Sequence, residues 1–132
     1  MSVIRPMVNR DSAFFWEGTR EHELRIPKCN ACGALRFPPG PACQECDAYD
    51  RGYVVSSGRG TVFSYVVHRH PPVPGKELPI LIALIDVEEG VRMVGEVEGV
   101  SDDEISIGME LRVDFRDVDD ELTLPFWKRV EQ

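Results

Sequence analysis

Beyond residue 52 the chain alternates short apolar runs with clusters of turn-forming residues. The runs are GTVFSYVVHRH (Gly60–His70), PILIALIDVE (Pro79–Glu88), VRMVGEVEGV (Val91–Val100), MELRVDFRDV (Met109–Val118) and LTLPFWKRV (Leu122–Val130). They are rich in Val, Ile, Phe and Tyr, which suit a pleated, half-buried surface. Between them stand PPVPGKEL, EG, SDDEISIG and DDE, whose Pro, Gly, Asp and Ser favour turns. Five strands in about 70 residues predict a small closed barrel, with Phe126 and Trp127 closing it from the last run. The third separator reads as a single helical turn, capped by Ser101 and carrying Asp102, Asp103 and Glu104 at the favourable end of its dipole. Five strands with a short helix after the third is the OB-type arrangement; an SH3-like barrel shares the periodicity and stays open as the rival.

The other end of the chain has a different pattern. DSAFFWEGTREHEL (Asp11–Leu24) opens on cap-forming residues and lacks proline, which predicts a short helix weakened by Gly18 and ended before Pro27. Neighbours on a helix stand about 100° apart, so Phe14, Phe15 and Trp16 cannot share one face. At least one ring turns away from the face buried first, and the three are candidates for docking a partner. Packing of all three on this chain's own ribbon or strands is the equal alternative. His22 falls on the polar side of that helix, as a solvated residue.

Between helix and barrel, CNACGALRFPPGPACQEC holds all four cysteines, spaced Cys29-x2-Cys32-x10-Cys43-x2-Cys46. One CxxC turn presents two thiolates from a tight loop, and two such turns complete a tetrahedral shell. With no fifth ligand in the pattern, no coordination position is left for water, so the centre is structural rather than catalytic. Gly33 lets the first knuckle close under the metal; Asp47 holds the matching place in the second, which is the weaker half. Zinc is the expected ion. A rubredoxin-type iron uses the same ligands and is the expected contaminant on expression in an iron-rich host. Disulfides are disfavoured, because MSVIRPMVNRDS contains no apolar stretch followed by a small-residue cleavage site, which points to a reducing cytoplasm.

The expected fold is thus mainly β: a helical segment over 1–26, a rubredoxin-like, four-cysteine zinc ribbon over 27–50 and a five-stranded OB-fold over 51–132. Composition agrees, with 42% hydrophobic and 29% charged residues in 132 and no apolar run of the roughly 18 needed to cross a bilayer. The net charge of −8 is unevenly spread. Fourteen acids face three bases from Asp86 to Glu121, whereas Gly52 to Lys76 has no acid at all. An extended nucleic-acid groove needs the opposite balance. The acid-free stretch leaves room for a small anion, with Arg59, His68, Arg69, His70 and Lys76 as candidate contacts. HRHPPVPGKELP lies between the first two strands, where OB-folds commonly touch ligands, and its prolines lower the entropy of ordering it. No catalytic set emerges: no serine sits in a nucleophile elbow, the cysteines belong to the metal, and Glu88, Glu89, Glu96 and Glu98 read as solvent-facing barrel positions.

Taken together, FFWEG (Phe14–Gly18), ELRIPKCNACGALRFPP (Glu23–Pro39), CQEC (Cys43–Cys46) and SGRGTVFSYVVHRH (Ser57–His70) resemble a family of small acyl-CoA-associated proteins. In that family an N-terminal helix and a rubredoxin-like zinc ribbon precede an OB-fold. The resemblance continues through PILIALIDVEEGVRMVGEVEG and ISIGMELRVDF, and departs at Asp47, where glycine is frequent, and at the acid-rich DVDDE. It implies an accessory subunit in a hetero-oligomer with a thiolase-superfamily enzyme, including lipid-transfer-protein-like thiolases and aldolases of steroid side-chain breakdown. There the helix and ribbon would dock, the OB module would help to enclose an acyl-CoA shared with the partner, and catalysis would lie on the partner. Two other readings stand beside it: a partner of an acyl-CoA hydratase, and a stand-alone single-stranded nucleic-acid binder stacking bases on Phe63 and Tyr65.

Overall fold

In the computed structural model, which describes residues 3–130, Asn9 rather than Ser12 turns the chain into its helix, α1 (Ala13–Arg20). The Asn9 side-chain oxygen accepts the amides of Asp11 and Ser12, each at 2.9 Å, whereas the Ser12 hydroxyl makes no cap bond. Residues 1–2 and 131–132, the outermost positions of the first and third expected segments, lie outside the described residues. The helix also ends earlier than the predicted Leu24. His22 adopts a left-handed φ of 59°, its amide reaches Thr19 O at 2.9 Å, and the Glu23 amide reaches Gly18 O at 2.8 Å. This pair of bonds is a Schellman stop, so Pro27 has no helix left to end.

Pro27 instead lies inside β1 (Arg25–Cys29), which pairs antiparallel with β2 (Arg51–Val55). The expected polar connector near Asp47–Gly52 is therefore already strand at Arg51, whose partner is Cys29. The hairpin brackets the two cysteine knuckles, and it is built by non-local pairing rather than announced by a run of alternating residues. Ile26 at its centre is fully buried.

All five predicted barrel strands form: β3 (Arg59–His68), β4 (Ile80–Val87), β5 (Arg92–Glu98), β6 (Glu110–Asp117) and β7 (Thr123–Arg129). They close in the order β3-β4-β5-β7-β6, with β5–β7 parallel and the other pairs antiparallel, which is the OB-type arrangement. A bulge between Val62 and Ser64 bends β3 so that it serves both β4 and β6. The expected single helical turn after β5 forms, although the Ser101 side chain does not cap it as predicted. The Glu104 and Ile105 amides reach Ser101 O at 3.0 and 3.2 Å, and the Ser101 hydroxyl donates to Glu104 Oε1 at 2.8 Å instead of capping an amide.

Trp127 is the largest buried side chain and, as expected, fills the barrel against Ile85 and the bare backbone of Gly95, whereas Phe126 is only half-buried and lies under Arg116, 4.6 Å from its ring. Phe15, Leu24 and Ile26 join the same apolar cluster as Val62, Ile85 and Leu111, so helix, ribbon and barrel share one core. Burial of apolar surface at about 25 cal/mol per Å² therefore acts on all three units together.

Candidate functional site

The four cysteine sulfurs converge: all lie within 4.8 Å of one another, with Cys29–Cys46 and Cys32–Cys43 each at 3.6 Å. A tetrahedron of Zn–S bonds of about 2.3 Å has edges of about 3.8 Å, so the spacing fits a tetrathiolate metal and is far too long for disulfides. The two knuckles are built alike. In the first, Cys29 N donates to Ala34 O and Gly33 N to Cys29 O; in the second, Cys43 N donates to Ala48 O and Asp47 N to Cys43 O. Gly33 at φ 80° and Asp47 at φ 64° make the same left-handed step, so the expected mismatch at Asp47 is tolerated by its short polar side chain.

Backbone amides tune the centre. Hydrogen bonds from the Cys32 and Ala31 amides bring the Cys29 thiol down to about 6 against its burial. At Cys46 the Ala48 amide pulls downward, but the Cys29 sulfur and burial outweigh it and push the thiol up to about 12. Four thiolates cannot share one point without a cation, and this set is complete for a structural metal with no open position.

Of the aromatic trio, Phe15 is buried, and Phe14 and Trp16 are half-buried against the core. Phe14 stacks on Tyr53 at 5.8 Å, and Phe15 meets Trp16 edge-on at 5.0 Å and Phe37 at 5.7 Å. All three therefore face this chain first and leave only the outer edges of Phe14 and Trp16 to solvent. Tyr53 also carries the guanidinium of Arg25, 4.5 Å above its ring, and Arg25 is held by Glu21 at 2.7 Å and Glu23 at 3.0 Å. A Cβ on Gly18 would strike the Arg25 chain at 2.5 Å, so that glycine is a packing requirement, not merely a weak helix position.

The basic candidates do not form one patch. Arg69 is paired with Asp102 at 2.6 Å, Lys76 with Glu96 at 2.5 Å, and His68 Nε2 lies 2.8 Å from Pro71 O; Arg59 and His70 are exposed. The two ion pairs strap the proline-rich loop across a cavity of about 530 Å³ whose lining includes Leu78, Val97, Val100 and Arg116. Hydrogen bonding to Arg69 holds Asp102 below the usual carboxylate range.

Two further expectations change. His22 is exposed, as expected, but it is not on the helix: its ring stacks on Phe115 at 5.3 Å, and Nε2 meets Asp117 at 2.9 Å. Glu88 and Glu89 are not barrel positions but the β4–β5 turn. Ser56 Oγ donates to Glu89 at 2.5 Å, Ser57 N donates to Glu89 at 2.9 Å, and Ser57 Oγ donates to Glu88 at 2.8 Å, which clasps the ribbon–barrel link. Paired serines before a glycine and paired glutamates before another were the visible signal, but only the fold brings them together. On the outer barrel face, Phe63 is covered by Arg92, 3.7 Å from its ring, and Arg92 is neutralised by Asp86 at 2.7 Å.

Two family models match: a ChsH2 rubredoxin-like zinc ribbon domain over residues 16–49 and a ChsH2 C-terminal OB-fold domain over residues 53–116. The chain is 50% identical over 119 residues, 90% of its length and 38% of the relative's, to a 3-oxo-4,17-pregnadiene-20-carboxyl-CoA hydratase alpha subunit of Mycobacterium tuberculosis. It is 33% identical over 76% of its length, and 74% of the relative's, to a DUF35 domain-containing scaffold protein of Methanocaldococcus jannaschii. It spans about two fifths of the length of the hydratase-subunit relatives it matches. Among solved structures it superposes on a chain of an Ltp2-ChsH2(DUF35) aldolase with a TM-score of 0.89 and 43% identity, covering 95% of this chain and 98% of that one. Among the described residues no helix is long and apolar enough to cross a membrane.

Proposed function

The chain belongs to the ChsH2 family of joined zinc-ribbon and OB-fold domains, and from that premise we propose that it is an accessory subunit that docks on a thiolase-like, lipid-transfer-protein-like enzyme and helps to enclose its acyl-CoA. The reaction served is retro-aldol cleavage of a steroid side-chain CoA thioester, with the bond-breaking groups on the partner. The observation that carries this reading is the near full-length superposition on the chain from the Ltp2-ChsH2(DUF35) aldolase. Zinc is the metal that Cys29, Cys32, Cys43 and Cys46 would hold; bound, it fixes the ribbon hairpin and takes no part in chemistry.

On this reading the solvent edges of Phe14 and Trp16 contribute to docking, while Phe15 anchors them from within. Arg59, His68, Arg69, His70 and Lys76 are the candidates for acyl-CoA or partner contact. Arg69 and Lys76 serve only by exchanging Asp102 and Glu96 for phosphate, an exchange that proximity of a stronger anion favours. A second reading, a partner of an acyl-CoA hydratase, is favoured by the hydratase names of the longer relatives. A nucleic-acid role is disfavoured, because Arg69, Lys76, Arg92 and Arg116 on the barrel each already hold a carboxylate.

Affinity capture of the tagged chain from its native cells at moderate salt, followed by mass spectrometry, tests the proposal. A thiolase-family protein in near-equal amount is the expected result. Recovery with a hydratase alone would establish the second reading, and recovery with salt-resistant nucleic acid would overturn both.

A further inference from the structure

Arg59 and Arg112 stand directly opposite each other across β3 and β6, so both side chains leave the barrel on one face. Like charges in that position destabilise an antiparallel pair unless an opposite charge lies between them. Six cations of this acidic chain have one: Arg25, Arg51, Arg69, Lys76, Arg92 and Arg116 each hold a carboxylate at 2.7 Å or less, whereas Arg20 and Arg36 bond backbone carbonyls instead. Among the described residues, neither Arg59 nor Arg112 has a carboxylate oxygen within the 4.0 Å of an ion pair. On its other side Arg112 faces a third cation, Lys128, whose ammonium is taken by Asp114 at 2.6 Å. Glu110, two residues before Arg112, lies beyond ion-pair distance.

Both arginines line one cavity of about 340 Å³ at the seam between ribbon and barrel, with His22, Ser57, Gly58 and Phe115 among its other walls. The carboxylates around it are already engaged: Glu23 by Arg25 at 3.0 Å, Asp117 by His22 at 2.9 Å and Thr123 at 2.7 Å, and Glu88 by Ser57 at 2.8 Å. The cleft thus presents two planar forks of N–H donors with no carboxylate in ion-pair contact, Asp114 acting on Arg112 only at longer range and Glu110 bordering the adjoining cavity beside Arg59; this is the donor geometry that grips a tetrahedral oxyanion.

We infer that the opposed pair Arg59 and Arg112 forms a binding site for the phosphate group of a small molecule in this seam cleft. The site stands on the arginine pair; it rests on the acyl-CoA reading only in the choice of a nucleotide bisphosphate as probe. It puts the anionic end of a ligand beside the ribbon link, not under the proline-rich loop.

The test is a titration of the metal-loaded full chain with adenosine 3′,5′-bisphosphate, followed by amide NMR shifts, with adenosine and succinate as controls. Saturable shifts at Gly58, Arg59, Arg112 and Val113 are expected, with none of comparable affinity from either control. Arg59→Gln and Arg112→Gln should each weaken binding by about tenfold, the loss of one charge-assisted contact, while Arg116→Gln leaves it unchanged. Without anion, Arg59→Gln should unfold at no lower temperature than the parent, because it removes a repulsion. Absence of saturable shifts, shifts confined to His68–Pro79, or equal binding of succinate would overturn the site. Binding at the seam by a chain that captures no thiolase-family enzyme would leave this site standing and sink the subunit reading; the reverse result would sink the site alone.

Discussion

A Cβ on Gly95 would lie 2.4 Å from Cδ1 of Trp127 and 3.2 Å from Cδ1 of Ile85. The indole is buried, with 2% of its surface exposed. Gly95→Ala should therefore cost about 1–3 kcal/mol, as overpacked cores do, and lower the thermal midpoint while leaving the metal content at one ion per chain. An unchanged midpoint would mean that the tryptophan repacks. At this scale the sequence is legible where the cause is local. The CxxC knuckles and the left-handed demand at Asp47 follow from spacing alone, because each turn closes on itself. His22 is illegible for the opposite reason: nothing in EHEL marks a histidine as the left-handed stop of a helix, and its partners Phe115 and Asp117 lie more than ninety residues away.

The ribbon hairpin shows the same contrast between elements. β3 to β7 each carry enough alternation to be found as separate runs, whereas β1 and β2 are five residues each and are defined by one another across the knuckles. Their mutual register runs from Arg25↔Val55 to Cys29↔Arg51, and a bound metal would hold the loop between them. Cys29→Ser should release the metal and leave the amides of residues 26–54 unprotected in hydrogen exchange, while those of β4 and β5 stay protected. A metal-free variant with a protected hairpin would show that the strand pairing stands without the ion. The candidate contacts on the proline-rich loop are visible as basic residues, but their capture by Asp102 and Glu96 is not, because those acids come from the turn after β5 and from β5 itself.

At the scale of the molecule, the Ser56–Gly58 link and the Glu88–Glu89 turn decide how ribbon and barrel are held. Burial raises the Glu89 carboxyl, but hydrogen bonds from the Ser56 hydroxyl and the Ser57 amide outweigh it and hold it below its ordinary value. A carboxyl lowered in the folded state adds stability above its unfolded value and loses it as pH falls through the lowered one. The Ser57 amide shift should therefore titrate below the ordinary glutamate range, and Glu89→Gln should abolish that titration; a midpoint at the ordinary value would mean the clasp carries no net stabilisation. None of this was readable from SSG and EEG as isolated motifs, although the barrel order and the ribbon that they join were.

The closed order β3-β4-β5-β7-β6 puts the last strand between two earlier ones, so the barrel cannot shut until β7 arrives. The fourth metal ligand, Cys46, is made about eighty residues before Trp127. At roughly 5–20 residues per second of synthesis, that interval is about 4–16 seconds. A nascent chain on the ribosome thus has its ligand set complete while its largest core side chain does not yet exist, and the four sulfurs can gather around an ion before the barrel can close.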